Sequence, residues 1–176
     1  MKIYTEILKL KTEKELEFIN ITNKIKEIVK KAGIKEGVLN IFSRHTTLAI
    51  KINEDERLLL KDMKWLMKRI APEIKKYFHD RIKLRKNCLP GEPKNAKGHL
   101  RNMVLETSQM ITISKYQMQP GNYQQIFAIE TSGPREREIL TQILGEWKSI
   151  LNNLYIVIQR IDNMDKSVIK IKRIAR

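Results

Sequence analysis

Two hydrophobic patterns in this chain leave little freedom in how it folds. Ile3, Thr5, Ile7 and Lys9 alternate against Tyr4, Glu6, Leu8 and Leu10, the period of a half-buried strand. Leu58, Leu59, Met63, Leu66, Met67 and Ile70 instead recur at helical spacing, starting behind the acidic Glu54, Asp55 and Glu56 and stopping before Pro72. They predict the longest helix of a core that combines strands and helices.

The remaining apolar runs are short. Residues 16–21 read as a brief extended piece, and Thr22 can cap a helix with Ile25, Ile28, Val29 and Ala32 on one face and Gly33 at its left-handed end. Residues 37–43 and 48–52 are predicted as paired strands. From Tyr77 to Gly98 the periodicity fails, and the Pro- and Gly-rich stretch 87–93 predicts a long loop, a feature of functional or mobile regions. A short helix is expected over 99–105, and a hairpin from strands over 110–116 and 123–130 around the turn Pro120-Gly121-Asn122. Pattern alone leaves 139–145 open between helix and strand, and the tail over 154–172 reads as a final hairpin.

At 176 residues with 41% hydrophobic content, one domain with a single core is expected, without internal repeat or linker. No apolar run approaches the roughly 20 residues of a bilayer span, and Met1 to Glu6 lacks the features of a signal peptide, so a cytoplasmic protein with no membrane partner is expected. The single Cys88 cannot form an intramolecular disulfide and has no activating neighbours in sequence. A bound metal would therefore take His and carboxylate ligands. The net charge of +15 points toward anionic partners, including nucleic acid. The basic residues are interleaved with Glu along nearly the whole chain, the pattern of solvated surface charge, and the Lys, Ile and Glu bias fits a thermophile.

The chain has three histidines, His45, His79 and His99, all at strand ends or in irregular stretches. Their spacing is not a local metal motif. If they converge, neutral imidazoles suit Zn²⁺ and leave a position for water or substrate. Arg44 and Arg135 can each fork onto phosphate oxygens or form structural ion pairs. Thr46 and Thr47 place hydroxyls beside His45, and Asp80 can orient His79 or act as a base. Asn53 and Glu54 fit either a pocket or the capping of the long helix, and Glu130 ends a predicted strand.

Taken in order, Ser43-Arg44-His45-Thr46-Thr47, Ile52-Asn53-Glu54, Lys61-Asp62-Met63, His79-Asp80, Asn95 with His99-Leu100, Gly121-Asn122-Tyr123-Gln124, Glu130, Gly133-Pro134-Arg135 and Gly145-Glu146 resemble the YjbQ-like family, also called the secondary thiamine-phosphate synthase family and formerly an uncharacterised protein family. The resemblance covers residues 1–146 and implies a compact α+β fold of antiparallel sheets in sandwich form with two main helices. It also implies a homotrimer and a metal site at His45, His79 and His99, with zinc the expected metal. Residues 147–176 then form an extension, a hairpin packed on the same domain. This chain has Lys97 where many members carry a further histidine, which makes Lys97 a candidate anion ligand. Gln124 stays in the altered aromatic stretch as a candidate substrate contact.

The function expected on these grounds is a metal-dependent enzyme acting on a phosphorylated small molecule. The resemblance implies thiamine-phosphate synthase chemistry, in which a pyrimidine diphosphate and a thiazole phosphate join and pyrophosphate leaves. Asp80, Glu54 and Glu130 are the candidate catalytic carboxylates. Arg44, Thr46, Thr47, Asn53, Lys97, Gln124 and Arg135 are the candidate phosphate and substrate ligands. The alternative is a basic trimeric module that binds nucleic acid or another anion without turnover.

Overall fold

The structure, a computed structural model, describes residues 1–147 apart from 75, 87 and 90. Among these residues, eight strands form two antiparallel sheets. The first sheet has the order β1 (Lys2–Lys11), β8 (Glu136–Trp147), β3 (Ile34–Ser43), β5 (Ser108–Ser114), β6 (Gln117–Met118), and the second the order β2 (Glu17–Asn20), β7 (Gln125–Glu130), β4 (Leu48–Asn53). Helices α1 (Thr22–Ala32), α2 (Arg57–Ile70) and α3 (Ala96–Met103) complete an α+β fold. None of the described helices is long and apolar enough to cross a membrane.

The main core joins both sheets to α1. Leu39 and Ile41 of β3, Ile111 and Ile113 of β5, and Ile139 and Ile143 of β8 meet Leu48, Ile50, Ile126 and Ala128 of the second sheet and Ile25, Ile28 and Val29 of α1. Each such aliphatic side chain contributes about 1.5–3 kcal/mol on full burial. Strand alternation turns Ala49, Phe127 and Ile129 to the opposite face of the second sheet, where Leu60 of α2 packs on them. Gly33 ends α1 at φ 62°, the left-handed cap that its position predicts.

Several expectations are corrected. The strands over 37–43 and 48–52 do not pair: β3 lies in the first sheet and β4 in the second, with Arg44 to Thr47 carrying the chain between them. The strands β5 and β7 are likewise in different sheets, and the hairpin is β5 with β6. Its turn uses Lys115 and Tyr116 at φ 51° and 68°, left-handed conformations that no Gly or Asn announces in the sequence. Residues 139–145 are strand, within β8. Thr22 lies inside α1 rather than capping it, and its Oγ1 accepts from the Ile126 amide at 2.8 Å. The cap of α2 is Glu56, whose carboxylate accepts from the Leu58 and Leu59 amides, whereas Asn53 Oδ1 accepts from the Glu54 amide and both residues are exposed. The predicted C-terminal hairpin lies outside the described residues.

Candidate functional site

Helix α3 is held in place by a buried arginine. Arg101 is fully buried and donates from Nε to Met67 O at 3.2 Å and from Nη2 to Ala71 O at 2.9 Å, which satisfies carbonyls at the end of α2. Its Nη1 pairs with Glu15. On the other side Gly98 presses against residues 131 and 132: a Cβ there would lie 2.9 Å from Ser132 Cβ and 3.0 Å from Thr131 O, and Thr131 Oγ1 donates to Gly98 O at 2.9 Å. A side chain at position 98 would push α3 off this seat. Asp80 Oδ1 accepts from the Ala96 amide at 3.0 Å and ties the long loop to the helix start.

These supports bring His79 and His99 into edge-to-face contact, with ring centroids 4.9 Å apart. Burial pushes the His99 pKa down first, and the charges of His79, Arg85 and Arg135 push it further, with Asp80 acting in the opposite direction. His99 thus feels the charges of two arginines as well as that of Asp80. Arg85 donates from Nη2 to Glu92 Oε1 at 2.7 Å, while its Nη1 is buried without a hydrogen-bond partner among the described residues. The sequence reading missed Arg85 because it sits in the stretch where periodicity fails.

His45 is arranged differently. Its Nε2 accepts from the Glu138 amide at 2.9 Å, so that nitrogen is committed to β8. Burial lowers its pKa, and Arg137 lowers it further. His45 lines a cleft of about 470 Å³ with Lys9, Lys11 and Glu136. His99 and Thr46 line another of about 580 Å³. Arg44 Nη1 pairs with Glu138 Oε2 at 3.1 Å.

A zinc site of the catalytic type takes three protein ligands. No group of three His, Cys, Asp or Glu side chains placed to hold a metal ion occurs among the described residues of one chain. Two imidazoles and a carboxylate already bonded to a backbone amide do not fit such a centre.

Glu130 is a structural anchor rather than a reacting carboxylate. It is fully buried and accepts from Arg137 Nε and Nη2, from the Ser132 and Gly133 amides and from Thr12 Oγ1. Burial raises its pKa, but Arg137 and the two amides outweigh this and leave it lowered. Thr47 belongs to the same network, since its Oγ1 accepts from Arg137 Nη2 at 2.9 Å. Lys97 Nζ lies 2.9 Å from Glu15 Oε2 and 3.9 Å from Glu73 Oε1. Gln124 Oε1 accepts from the Gly121 amide at 2.8 Å and shapes a turn. Of the candidate ligands, Arg135 is the one whose charge reaches His99, and Thr46 shares a cleft with it.

A family model described as UPF0047 protein YjbQ-like matches residues 6–146. A UPF0047 protein of Methanothermobacter thermautotrophicus is 36% identical over 146 residues, covering 83% of this chain and 95% of that protein. The UPF0047 protein YugU of Bacillus subtilis is 28% identical, covering 78% and 97%. Among solved structures, a YbjQ-like protein of unknown function from Sulfolobus solfataricus superposes with a TM-score of 0.74 at 33% identity, covering 82% of this chain and 99% of that one.

Proposed function

The chain belongs to the YjbQ-like UPF0047 family, and from that premise we propose that it binds and turns over a phosphorylated small molecule at the His79–His99 pair, beside Arg85 and Arg135. The observation that carries this reading is the buried Nη1 of Arg85, a charged donor without a partner among the described residues. A phosphate oxygen would satisfy it, since planar guanidinium matches phosphate geometry. Further support comes from Arg85 and Arg135 lowering the proton affinity of His99, which a bound dianion would reverse.

The candidate reaction is displacement at carbon with a phosphate leaving group, of which thiamine-phosphate synthesis is the case that the family resemblance implies. The thiazole nitrogen forms a bond to the methylene carbon of the pyrimidine diphosphate as the carbon–oxygen bond breaks, and pyrophosphate leaves with the electron pair. The arginines stabilise the developing charge, and His99, once a bound dianion has raised its proton affinity, can donate a proton to the departing oxygen. No step runs through a metal, because the described residues of one chain do not gather the ligands for one.

Calorimetry with pyrophosphate tests the site, on protein as isolated and after chelation. Saturable binding is expected, weakened about ten-fold or more in Arg85→Ala and in Arg135→Ala, with chelation changing it less than two-fold. Equal affinity in both variants overturns the assignment, and a large loss on chelation means that a cation completes the site. Pyrophosphate release from the two thiamine precursors tests the reaction itself. If pyrophosphate does not bind but oligonucleotides do, with affinity falling steeply in salt, the alternative of a basic binding module replaces this reading.

A further inference from the structure

Of the groups assigned to phosphate, His99 also lines a cleft of its own beside α3. It measures about 580 Å³, and its walls include Thr46, Asn102, Leu105, Glu106 and Thr107. Small-molecule sites typically enclose roughly 300–1,000 Å³. The backbone on one side is fixed, because the carbonyls of Glu106 and Thr107 accept from the Ile50 and Ser43 amides at 2.9 and 2.8 Å. Glu106 is held ionised by Lys51 Nζ at 2.9 Å and by Gln109 Nε2.

Asn102 lines the same cleft as His99 and these groups. It is only 6% exposed, yet its Oδ1 is buried with no hydrogen-bond partner among the described residues. An unpaired buried amide oxygen is costly, and a native protein that keeps one calls for an explanation. A half-turn about the Cβ–Cγ bond exchanges the amide oxygen and nitrogen within nearly the same volume, so the acceptor can be offered to a ligand in the cleft. With Glu106 also an acceptor, the missing partner is a donor. His99 and Asn102 are three residues apart on α3, about 5–6 Å between Cβ atoms, so a phosphate against His99 carries the next few atoms of its ligand to Asn102.

We infer that Asn102 is a specificity-determining residue whose amide reads a hydroxyl or amino group on the organic part of the phosphorylated substrate, inside the cleft beside α3. This inference rests on the phosphate reading above. It narrows the substrate class to phosphate esters that carry a hydrogen-bond donor about three or four atoms from the ester oxygen.

Inorganic phosphate, propyl phosphate and 3-hydroxypropyl phosphate, titrated calorimetrically, test it. The wild-type protein is expected to bind the hydroxyl-bearing ester about five-fold more tightly than propyl phosphate. Asn102→Leu is expected to equalise the two esters and leave inorganic phosphate affinity unchanged. If that variant does not fold, Asn102→Ala replaces it, and the wild-type comparison stands without either. Equal wild-type affinity for the two esters, with inorganic phosphate bound, overturns the role of Asn102 alone, as does a preference that survives the substitution. Failure of all three probes to bind the wild type overturns the phosphate reading and this inference with it.

Discussion

Arg137 lies along Glu130 with Nε 2.6 Å from Oε2 and Nη2 2.7 Å from Oε1, a two-pronged pair in which the arginine is 5% exposed and the glutamate not at all. It locks β8 to the end of β7 and to Thr47. Arg137→Ala leaves a buried carboxylate uncompensated, and a loss of about 3–5 kcal/mol of stability is expected in urea unfolding. Adding Glu130→Gln to that variant should recover part of the loss. A cost below about 1 kcal/mol for Arg137→Ala would show that the pair does not anchor the segment.

The histidines make stability depend on pH with a definite sign. Burial, followed by nearby cations, lowers the pKa of both His45 and His99 in the folded protein, so the unfolded chain binds more protons as pH falls through the ordinary histidine value near 6.5. Their stabilising contribution is therefore complete above that value and is lost as pH falls from it toward the folded-state values. The melting midpoint of the wild type should drop more between pH 7.5 and pH 5 than that of a His45→Gln, His99→Gln variant. Equal drops would refute the assignment.

Lys97, a candidate anion ligand by its place in the sequence, is engaged in ion pairs in the structure. Its ammonium group is shared between Glu15 and Glu73, on the side of α3 where Arg101 also meets Glu15. Such a partly exposed pair is worth about 0–1 kcal/mol. Lys97→Ala should change pyrophosphate affinity by less than two-fold and lower the melting midpoint slightly. A ten-fold loss of affinity would restore Lys97 as an anion ligand.

The first sheet turns an apolar face outward. Ile3 and Ile7 of β1, Val38 and Phe42 of β3 and Met110 of β5 lie opposite the core-facing positions of their strands and are 39–73% exposed. A proposed homotrimer would give this face a partner. Light scattering should report about three times the mass of one chain, and Phe42→Glu should lower that number. A monomer at micromolar concentration would refute the assembly.

What the sequence made legible was local. Period-two alternation located β1, and one-sided apolar spacing located α1 and α2, because each pattern is complete within a single element. Which strands share a sheet was not legible: β3 and β4 are neighbours in the chain yet belong to different sheets, and nothing in their residues encodes the crossover at Arg44 to Thr47. At the site, His79, His99 and Arg135 stood out by residue type and motif. Arg101 and Arg137 did not, since they bond to groups distant in sequence, such as Met67, Glu15 and Thr47; Arg85 lies where the periodicity fails, and Asn102 reads as an ordinary helix residue. One signal was available: Arg137 shares the inward alternation of β8 with Ile139 and Ile143, and a charge on that face requires a buried counterion.

The pairing of β1 with β8 also dictates when the protein can fold. Lys2 faces Gly145 and Lys11 faces Glu136, so the earliest strand to be synthesised bonds to the last of the matched domain. At about 5–20 residues per second, β1 waits on the order of ten seconds beside the ribosome with its pairing edge bare. The hairpin of β5 and β6 with β3 can assemble during that interval, but the first sheet cannot close until β8 has emerged. A nascent chain stalled before β8 would expose alternating Ile and Leu on β1, the segment for a cellular holdase to shield.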